Sequence, residues 1–381
     1  MGKIYTALGL MSGTSMDGVD ASVIRSDGNE EFTNIFDEYC EFDNNLQERL
    51  VNLRNSILTK ANFRDFSKEV KILERDVTLF HSELINKISK KISEKIDLVG
   101  FHGQTIFHDP QNKITKQLGD GNLLSQLTKK TVVYDFRKKD LENGGQGAPL
   151  TPIFHNLLSN KLYNKTKNEF NNILNIGGIS NVTTTKKIGN FSEEKIEAYD
   201  IAPGNCLIDE WIRKNSNKKF DEDGMIGKSG KINEMILNQA IENFNINSYS
   251  KSLDVKDFDI SFARGLSIED GCATITSFTA YLISQGIKFI SKKNDFIKEK
   301  YLICGGGRKN KFLISNIEKY LIDIKKVSLH SIDSYGYDGD FIESNAFGYL
   351  AVRSFLKLPL TFPSTTRCNK SSTGGKIVKN F

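Results

Sequence analysis

No stretch of this chain approaches the ~18 consecutive apolar residues of a membrane-crossing helix. Its start also lacks the charged segment and apolar run of a secretory leader. The five cysteines, Cys40, Cys206, Cys272, Cys304 and Cys368, are odd in number, widely separated and never in a Cys-x-x-Cys pair. That excludes a disulfide framework and a thiolate zinc site, and fits reduced thiols in the cytoplasm. Basic clusters are missing as well. The net charge is +5, yet the lysine pairs from Lys129-Lys130 to Lys325-Lys326 are scattered among acidic residues. This is the pattern of solvated faces and not of a nucleic-acid groove. These absences predict a cytoplasmic protein with neither a nucleic-acid nor a membrane partner.

What is present suffices for two cores. A chain of 381 residues, 38% apolar and 26% charged, is a globular protein too long for one ordinary domain. The most informative stretch is the first. Ile4 to Ile24 reads as a strand, a tight turn and a returning strand, with Ser12, Gly13, Thr14, Ser15 and Gly18 in the turn and Asp17 and Asp20 beside it. Uncovered backbone N–H groups and short hydroxyls suit the oxygens of a phosphate, and a nearby carboxylate suits the accompanying Mg²⁺. A plain hairpin with a glycine in its turn would read the same way. No Gly-Lys-Ser or Gly-Lys-Thr follows this turn, so it is not a P-loop.

Along the chain, Phe32 to Phe42 predicts a third strand and Asn44 to Leu58 a helix. Val70, Leu73, Val77, Phe80, Leu84, Ile88 and Ile92 lie three or four apart, the stripe of a long amphipathic helix within Ser67 to Ile96. A short strand, Asp97 to Phe101, ends at His102-Gly103-Gln104-Thr105, and another, Thr131 to Phe136, ends at Arg137. This β-β-β-α-β-α-β order describes an open sheet whose ligands collect beyond strand ends. Glu142 to Pro149, rich in glycine, reads as a joint or binding loop between domains. From Asn172 the pattern restarts: a strand, a turn at Gly177-Gly178, a returning strand, a third strand at Glu197 to Ile201 and a helix from Pro203. The repetition suggests two related halves facing one cleft. Asp221 to Gly230 is expected as a polar loop. Helices follow at Lys231 to Phe244, Cys272 to Ile290, Lys309 to Leu321 and Phe341 to Leu356, with strands at Tyr301 to Cys304 and Lys326 to Leu329. The tail from Pro359 has little to bury and is expected to pack loosely on the first domain.

Three glycine-containing turns each follow a strand: Gly13 to Gly18, Gly177-Gly178, and Gly305-Gly306-Gly307. Two hairpin turns could hold the β- and γ-phosphates, and a glycine triplet admits an adenine or ribose against the backbone. In this order they resemble the phosphate-1, phosphate-2 and adenosine motifs of the actin, sugar kinase and chaperone ATPase superfamily. Within it, the chain resembles one family over nearly its whole length, the anhydro-N-acetylmuramic acid kinases. The residues that carry this are Leu10 to Gly18, His102 to Thr105, Asp135-Phe136-Arg137, Gly144 to Pro149, Asn175 to Gly178, Asp200 with Pro203-Gly204-Asn205, and Cys304 to Gly307.

The resemblance implies an α/β fold of two ribonuclease H-like (actin-like ATPase) domains, each a mixed sheet flanked by helices, with the active site in the interdomain cleft. The expected domains are residues 1–135 with 360–381, and residues 136–359. It also implies ATP and Mg²⁺, and a small-molecule substrate, 1,6-anhydro-N-acetylmuramic acid, phosphorylated on O6 as water opens its anhydro bridge. Whether the chain forms a homodimer is left open. Asp200 takes the family's position for the base that activates the water, although local sequence alone reads it as an N-cap for the helix at Pro203.

Ser12, Gly13, Thr14, Ser15, Met16, Asp17, Gly18, Gly177, Gly178, Gly305, Gly306 and Gly307 are the expected nucleotide contacts, with Asp17 holding the metal through water. Asn175 stands where the superfamily often has Asp, and Ala202 where a glycine is expected. The substrate's lactyl carboxylate needs a cation, which Arg137, Lys138 or Lys139 can supply; Arg137 reads equally as a surface ion-pair partner. His102, Gln104 and Thr105 could bind sugar hydroxyls or the acetamide, His102 reading equally as a satisfied buried residue. Glu343 matches a family acidic position facing the sugar and reads otherwise as an exposed helix residue. Two rival functions remain at this point: a kinase for another anhydro sugar such as levoglucosan, and a non-catalytic actin-like nucleotide-binding protein.

Overall fold

The computed structural model describes residues 2–166, 172–188, 193–244, 249, 252–293 and 298–381. Two compact units divide the chain, Met1–Leu157 with Phe341–Phe381, and Leu158–Asp340.

In the first unit, β1 (Tyr5–Ser12), β2 (Gly18–Ser26) and β3 (Phe32–Glu41) form an antiparallel meander. β4 (Leu98–Asp109) joins β1 in parallel, β5 (Ile114–Leu118) folds back on the far half of β4, and β6 (Thr131–Tyr134) runs parallel to β4. β1 is buried along Ala7 to Ser12 because helices cover both faces of the sheet. On one side Leu46, Leu50 and Leu53 of the Asn44–Ser56 helix and Leu73, Val77, Leu84, Ile85 and Ile88 of the Ser67–Lys91 helix form one core with Leu8, Leu10, Val99 and Phe101. Each such large aliphatic side chain contributes about 1.5–3 kcal/mol when taken from water.

On the other side lies the Ile342–Phe355 helix, which touches β1, β2 and β4. The approach is close because Gly9 and Gly100 lack side chains. A Cβ on Gly9 would lie 1.9 Å from the Ser344 carbonyl oxygen, and one on Gly100 would lie 2.2 Å from that of Phe347. This packing places residues 341–359 in the first unit, whereas the sequence reading assigned them to the second.

The second unit repeats the plan. β7 (Asn172–Ile176), β8 (Ile179–Ile188) and β9 (Glu193–Pro203) form a meander, and β10 (Glu299–Cys304) and β11 (Val327–Ser331) join β7 in parallel succession. The sheet order β11-β10-β7-β8-β9 matches β6-β4-β1-β2-β3 of the first unit. Its core gathers on the Ile268–Lys293 helix, where Gly271 meets the Trp211 ring and Gly286 meets Ile201.

Several expected boundaries change. β4 continues through His102 to Thr105 instead of ending there, since β5 offers it a hairpin partner. Residues 142–149 are not a joint between units. They lie inside the first, where Asn369 N donates to the Asn143 carbonyl and Gln146 N to the Thr366 carbonyl. The tail is not loosely packed: Lys376–Val378 pairs antiparallel with β6 and forms the sheet edge. Part of Asp221 to Gly230 is helical, at Met225–Ser229. The Pro152–Thr166 helix escaped the sequence reading because residues 154–159 are all buried, so it has no apolar stripe.

Candidate active site

In the first unit the turn joining β1 to β2 is built as a cradle of backbone groups. Met16, fully buried, takes a left-handed backbone conformation (φ 56°), and its N–H donates to the Gly13 carbonyl (3.3 Å). Thr14 and Ser15 are left exposed. Gly18 has no room for a side chain, since a Cβ would lie 2.5 Å from the Cys40 carbonyl oxygen and 2.6 Å from the Tyr39 hydroxyl. Partial desolvation, followed by the nearby carboxylates Asp17, Glu41 and Asp20, raises the pKa of the partly exposed Tyr39 phenol above its ordinary value. Ser15 Oγ donates to Asp17 Oδ1 (2.6 Å), orienting that half-buried carboxylate.

Gln104 and Arg54 brace this turn from outside. Gln104, wholly buried, donates through Nε2 to the Gly13 carbonyl (3.0 Å), which turns its Oε1 toward Ser12 Oγ. The single Ser12 hydroxyl proton is shared between that oxygen and the Gly18 carbonyl (2.9 Å). Arg54 Nη1 donates to the Thr14 carbonyl (2.8 Å), a contact with no sequence signal because Arg54 ends a helix 40 residues away. Gln104, expected on the sugar, thus has its amide committed to the turn.

The other residues expected at the sugar fall on β4, after β6 and on the Ile342–Phe355 helix. His102 is buried, its Nδ1–H donating to the Gly103 carbonyl (2.8 Å), which leaves Nε2 as an acceptor. Arg137 donates to that nitrogen from both Nε (3.1 Å) and Nη2 (3.0 Å), and from Nη1 to the Gly147 carbonyl (2.8 Å). Burial, then the Arg137 charge, pushes the His102 imidazole well below its ordinary pKa, so it remains neutral. Arg137 is thus half-buried, and His102, buried with both ring nitrogens bonded, orients it. Thr105 Oγ1 accepts from Gln117 Nε2 (3.1 Å), and Glu343 is half-buried in the first turn of its helix.

In the second unit the ends of β7, β9 and β10 converge. The Gly177 carbonyl accepts from Asn205 N (2.8 Å), and the Gly178 carbonyl from Gly204 N (2.8 Å). Gly305 takes positive φ (80°), and a Cβ there would lie 2.4 Å from Asn175 Oδ1 and 2.6 Å from the Ile176 carbonyl oxygen, so both conformation and space call for glycine. Gly307 packs on Ile176, whereas a Cβ on Gly306 would make only an ordinary contact, with Asn205 Nδ2 at 3.6 Å. The triplet opens a 3-10 turn, Gly306–Lys309, ahead of the Lys311–Tyr320 helix and not that helix directly. Arg308, absent from the sequence reading, fastens the triplet: its Nη1 donates to the Gly305 carbonyl (3.1 Å), and its guanidinium pairs with Asp333, Asp338 and Asp340.

Asp200 sits in β9 opposite Asn181, where the β8–β9 register slips between Ser180 and Asn181. It is not a helix cap, because the Cys206–Asn215 helix has Asn205 at that position. Its Oδ2 accepts from Leu253 N (3.0 Å), which fixes the carboxylate. Ala202, the departure from glycine, is fully buried opposite Ser180 and is accommodated by the strand. Asn175 is buried, and its Oδ1 faces the Cys304 thiol (3.7 Å).

The family model for anhydro-N-acetylmuramic acid kinase matches residues 5–380. The chain is similar to the anhydro-N-acetylmuramic acid kinase of Pelagibacter ubique, with 52% identity over 383 residues covering 100% of both chains. It is similar also to that of Rhodospirillum rubrum, with 35% identity over 97% of this chain and 93% of the relative. Among solved structures, gluconate kinase from Lactobacillus acidophilus aligns with a TM-score of 0.44 and 8% identity, covering 93% of this chain and 90% of that one. A match from residue 5 to residue 380, together with more than half of all positions identical to a full-length relative, establishes that the chain belongs to the anhydro-N-acetylmuramic acid kinase family.

Proposed function

We propose that this chain transfers the γ-phosphoryl group of ATP to O6 of 1,6-anhydro-N-acetylmuramic acid while water opens the anhydro bridge, giving N-acetylmuramate 6-phosphate and ADP. The observation that carries the reading is Asp200, a carboxylate held by the Leu253 amide at an irregular point of β9. The anhydro sugar has no free 6-hydroxyl, so the acceptor oxygen must be released from C1. Asp200 takes a proton from water as the water oxygen bonds to C1. The C1–O6 bond breaks, O6 takes the phosphoryl group, and the Asp200 proton returns to solvent.

In the first unit the turn from Ser12 to Gly18 would offer backbone N–H donors to a phosphate, and in the second unit the turn at Gly177-Gly178 would offer the same. Asp17 would hold the accompanying Mg²⁺ through water. One oriented carboxylate suits an ion that keeps most of its hydration shell, and no cluster of three His, Cys, Asp or Glu fit to hold a metal occurs among the described residues. Arg137, with His102 behind it, is the cation for the lactyl carboxylate. Five free cysteines accord with a cytoplasmic location.

Turnover in ¹⁸O-water followed by mass spectrometry tests the chemistry: label should enter the anomeric hydroxyl, and label in the phosphate would overturn the mechanism. Activity on 1,6-anhydroglucose alone would overturn the sugar assignment. Gln104 gives a separate test. Loss of a buried amide that braces the turn costs about 1–3 kcal/mol, so Gln104→Ala should raise the KM for ATP about tenfold or more and leave that for the sugar unchanged. Steady-state kinetics with each substrate varied would detect the opposite pattern, which would return Gln104 to the sugar.

A further inference from the structure

The Arg137 guanidinium is held on two sides, by the His102 imidazole and by the Gly147 carbonyl. That second side is itself held by a buried carboxylate. Asp140, only 1% exposed, accepts from Gly147 N through Oδ2 (2.7 Å), and its Oδ1 accepts from the Thr366 hydroxyl (2.6 Å). Gly145 must be glycine for this approach, since a Cβ there would lie 2.2 Å from Asp140 Oδ2. Thr366 is just as buried and belongs to the tail, more than two hundred residues away in sequence. The tail grips the same loop again, Gln146 N donating to the Thr366 carbonyl (2.8 Å), Asn369 N to the Asn143 carbonyl (2.9 Å) and Asn143 Nδ2 to the Lys370 carbonyl (2.6 Å).

We propose that Asp140 and Thr366 are positioning residues for Arg137, so that the C-terminal tail sets the reach of the cation that grips the sugar's carboxylate. The proposal rests on the reading of Arg137 given above. The physical chain is short: Thr366 fixes Asp140, Asp140 fixes the Gly147 peptide, and that peptide's carbonyl fixes one arm of the guanidinium. A bidentate grip on a carboxylate depends on guanidinium orientation, so a displaced Gly147 weakens it without removing the charge.

The test is a double-mutant cycle on the full-length chain, measuring kcat and KM for the anhydro sugar and for ATP. Asp140→Asn and Thr366→Val should each raise the sugar KM about fivefold to tenfold, as loss of one buried charge-assisted bond would, with the ATP KM unchanged. In an Arg137→Ala background neither should have any further effect, because the residue they act through is gone. Thr366→Ser should restore the parent value. Additive effects in the Arg137→Ala background, or equal rises in both KM values, would overturn the proposal and leave Asp140 a merely structural residue. If Asp140→Asn does not fold, the Thr366 pair decides alone. If Arg137→Ala by itself leaves the sugar KM unchanged, the assignment of Arg137 falls, and the proposal falls with it.

Discussion

Asp200→Asn should lower kcat by about 10²–10⁴-fold, the usual contribution of a positioned proton acceptor, while the KM values for ATP and sugar and the melting temperature stay near those of the parent. The substitution suits the question because an asparagine oxygen can still accept the Leu253 N–H bond that Asp200 accepts at 3.0 Å. Local structure is therefore kept and only the capacity to take a proton is lost. Single-turnover measurement of ADP release with saturating anhydro sugar reads the chemical step directly. A variant that folded normally and turned over at the parent rate would remove the base from the mechanism, and no other carboxylate has been given that role. The residual rate should rise with pH, since hydroxide can partly replace a base-activated water.

Gly204→Ala should be a strongly damaging change of a single methyl in the second unit. The new Cβ would lie 2.1 Å from the Gly177 carbonyl oxygen, which is backbone and already accepts from Asn205 N. No flexible side chain can yield, so the Gly177-Gly178 turn must separate from the Pro203 to Asn205 segment. Overpacking of this kind costs about 1–3 kcal/mol, and the displaced turn should cut kcat/KM for ATP about tenfold or more. Gly306→Ala is the matched control for stability, since its Cβ would meet nothing nearer than Asn205 Nδ2 at 3.6 Å. Thermal melting should show a fall for Gly204→Ala and none for Gly306→Ala. Equal melting temperatures would mean that the backbone can relax and that the close approach is not required.

Much of the fold could be read from the sequence because its signals are local. The strand, small-residue turn and strand from Ile4 to Ile24 and the three-and-four spacing from Val70 to Ile92 are each read within one short stretch, and the restart at Asn172 repeats the first pattern. What could not be read depends on partners distant in sequence. β4 passes through His102, Gln104 and Thr105 because β5 pairs with it, although the turn between them carries its own signal in Asp109-Pro110. The Ile342–Phe355 helix was assigned to the wrong unit because its place depends on Gly9 and Gly100, some 240 or more residues earlier. Within the site, the glycine turns were visible as composition. Gln104, by contrast, was visible only as a polar residue near a strand end, and its bonds to Gly13 and Ser12 decide that it braces a turn. Arg54, Asp140 and Arg308 were not visible at all, since each works through a backbone carbonyl or N–H and such contacts leave no mark in residue type.

The first unit closes only with the last residues of the chain: the helix from Ile342 lies over Gly9 and Gly100, and Lys376–Val378 completes the sheet edge at β6. The second unit, Leu158–Asp340, is one uninterrupted segment. During synthesis, therefore, the segment made in the middle can mature while the segment made first still waits for a covering layer. A ribosome stalled just past residue 340 would display Met11, Val133 and Phe136 without the Phe347 and Leu350 that bury them. That apolar surface then stays open to aggregation until the covering segment follows, and removing Lys376–Val378 should lower the soluble yield in cells.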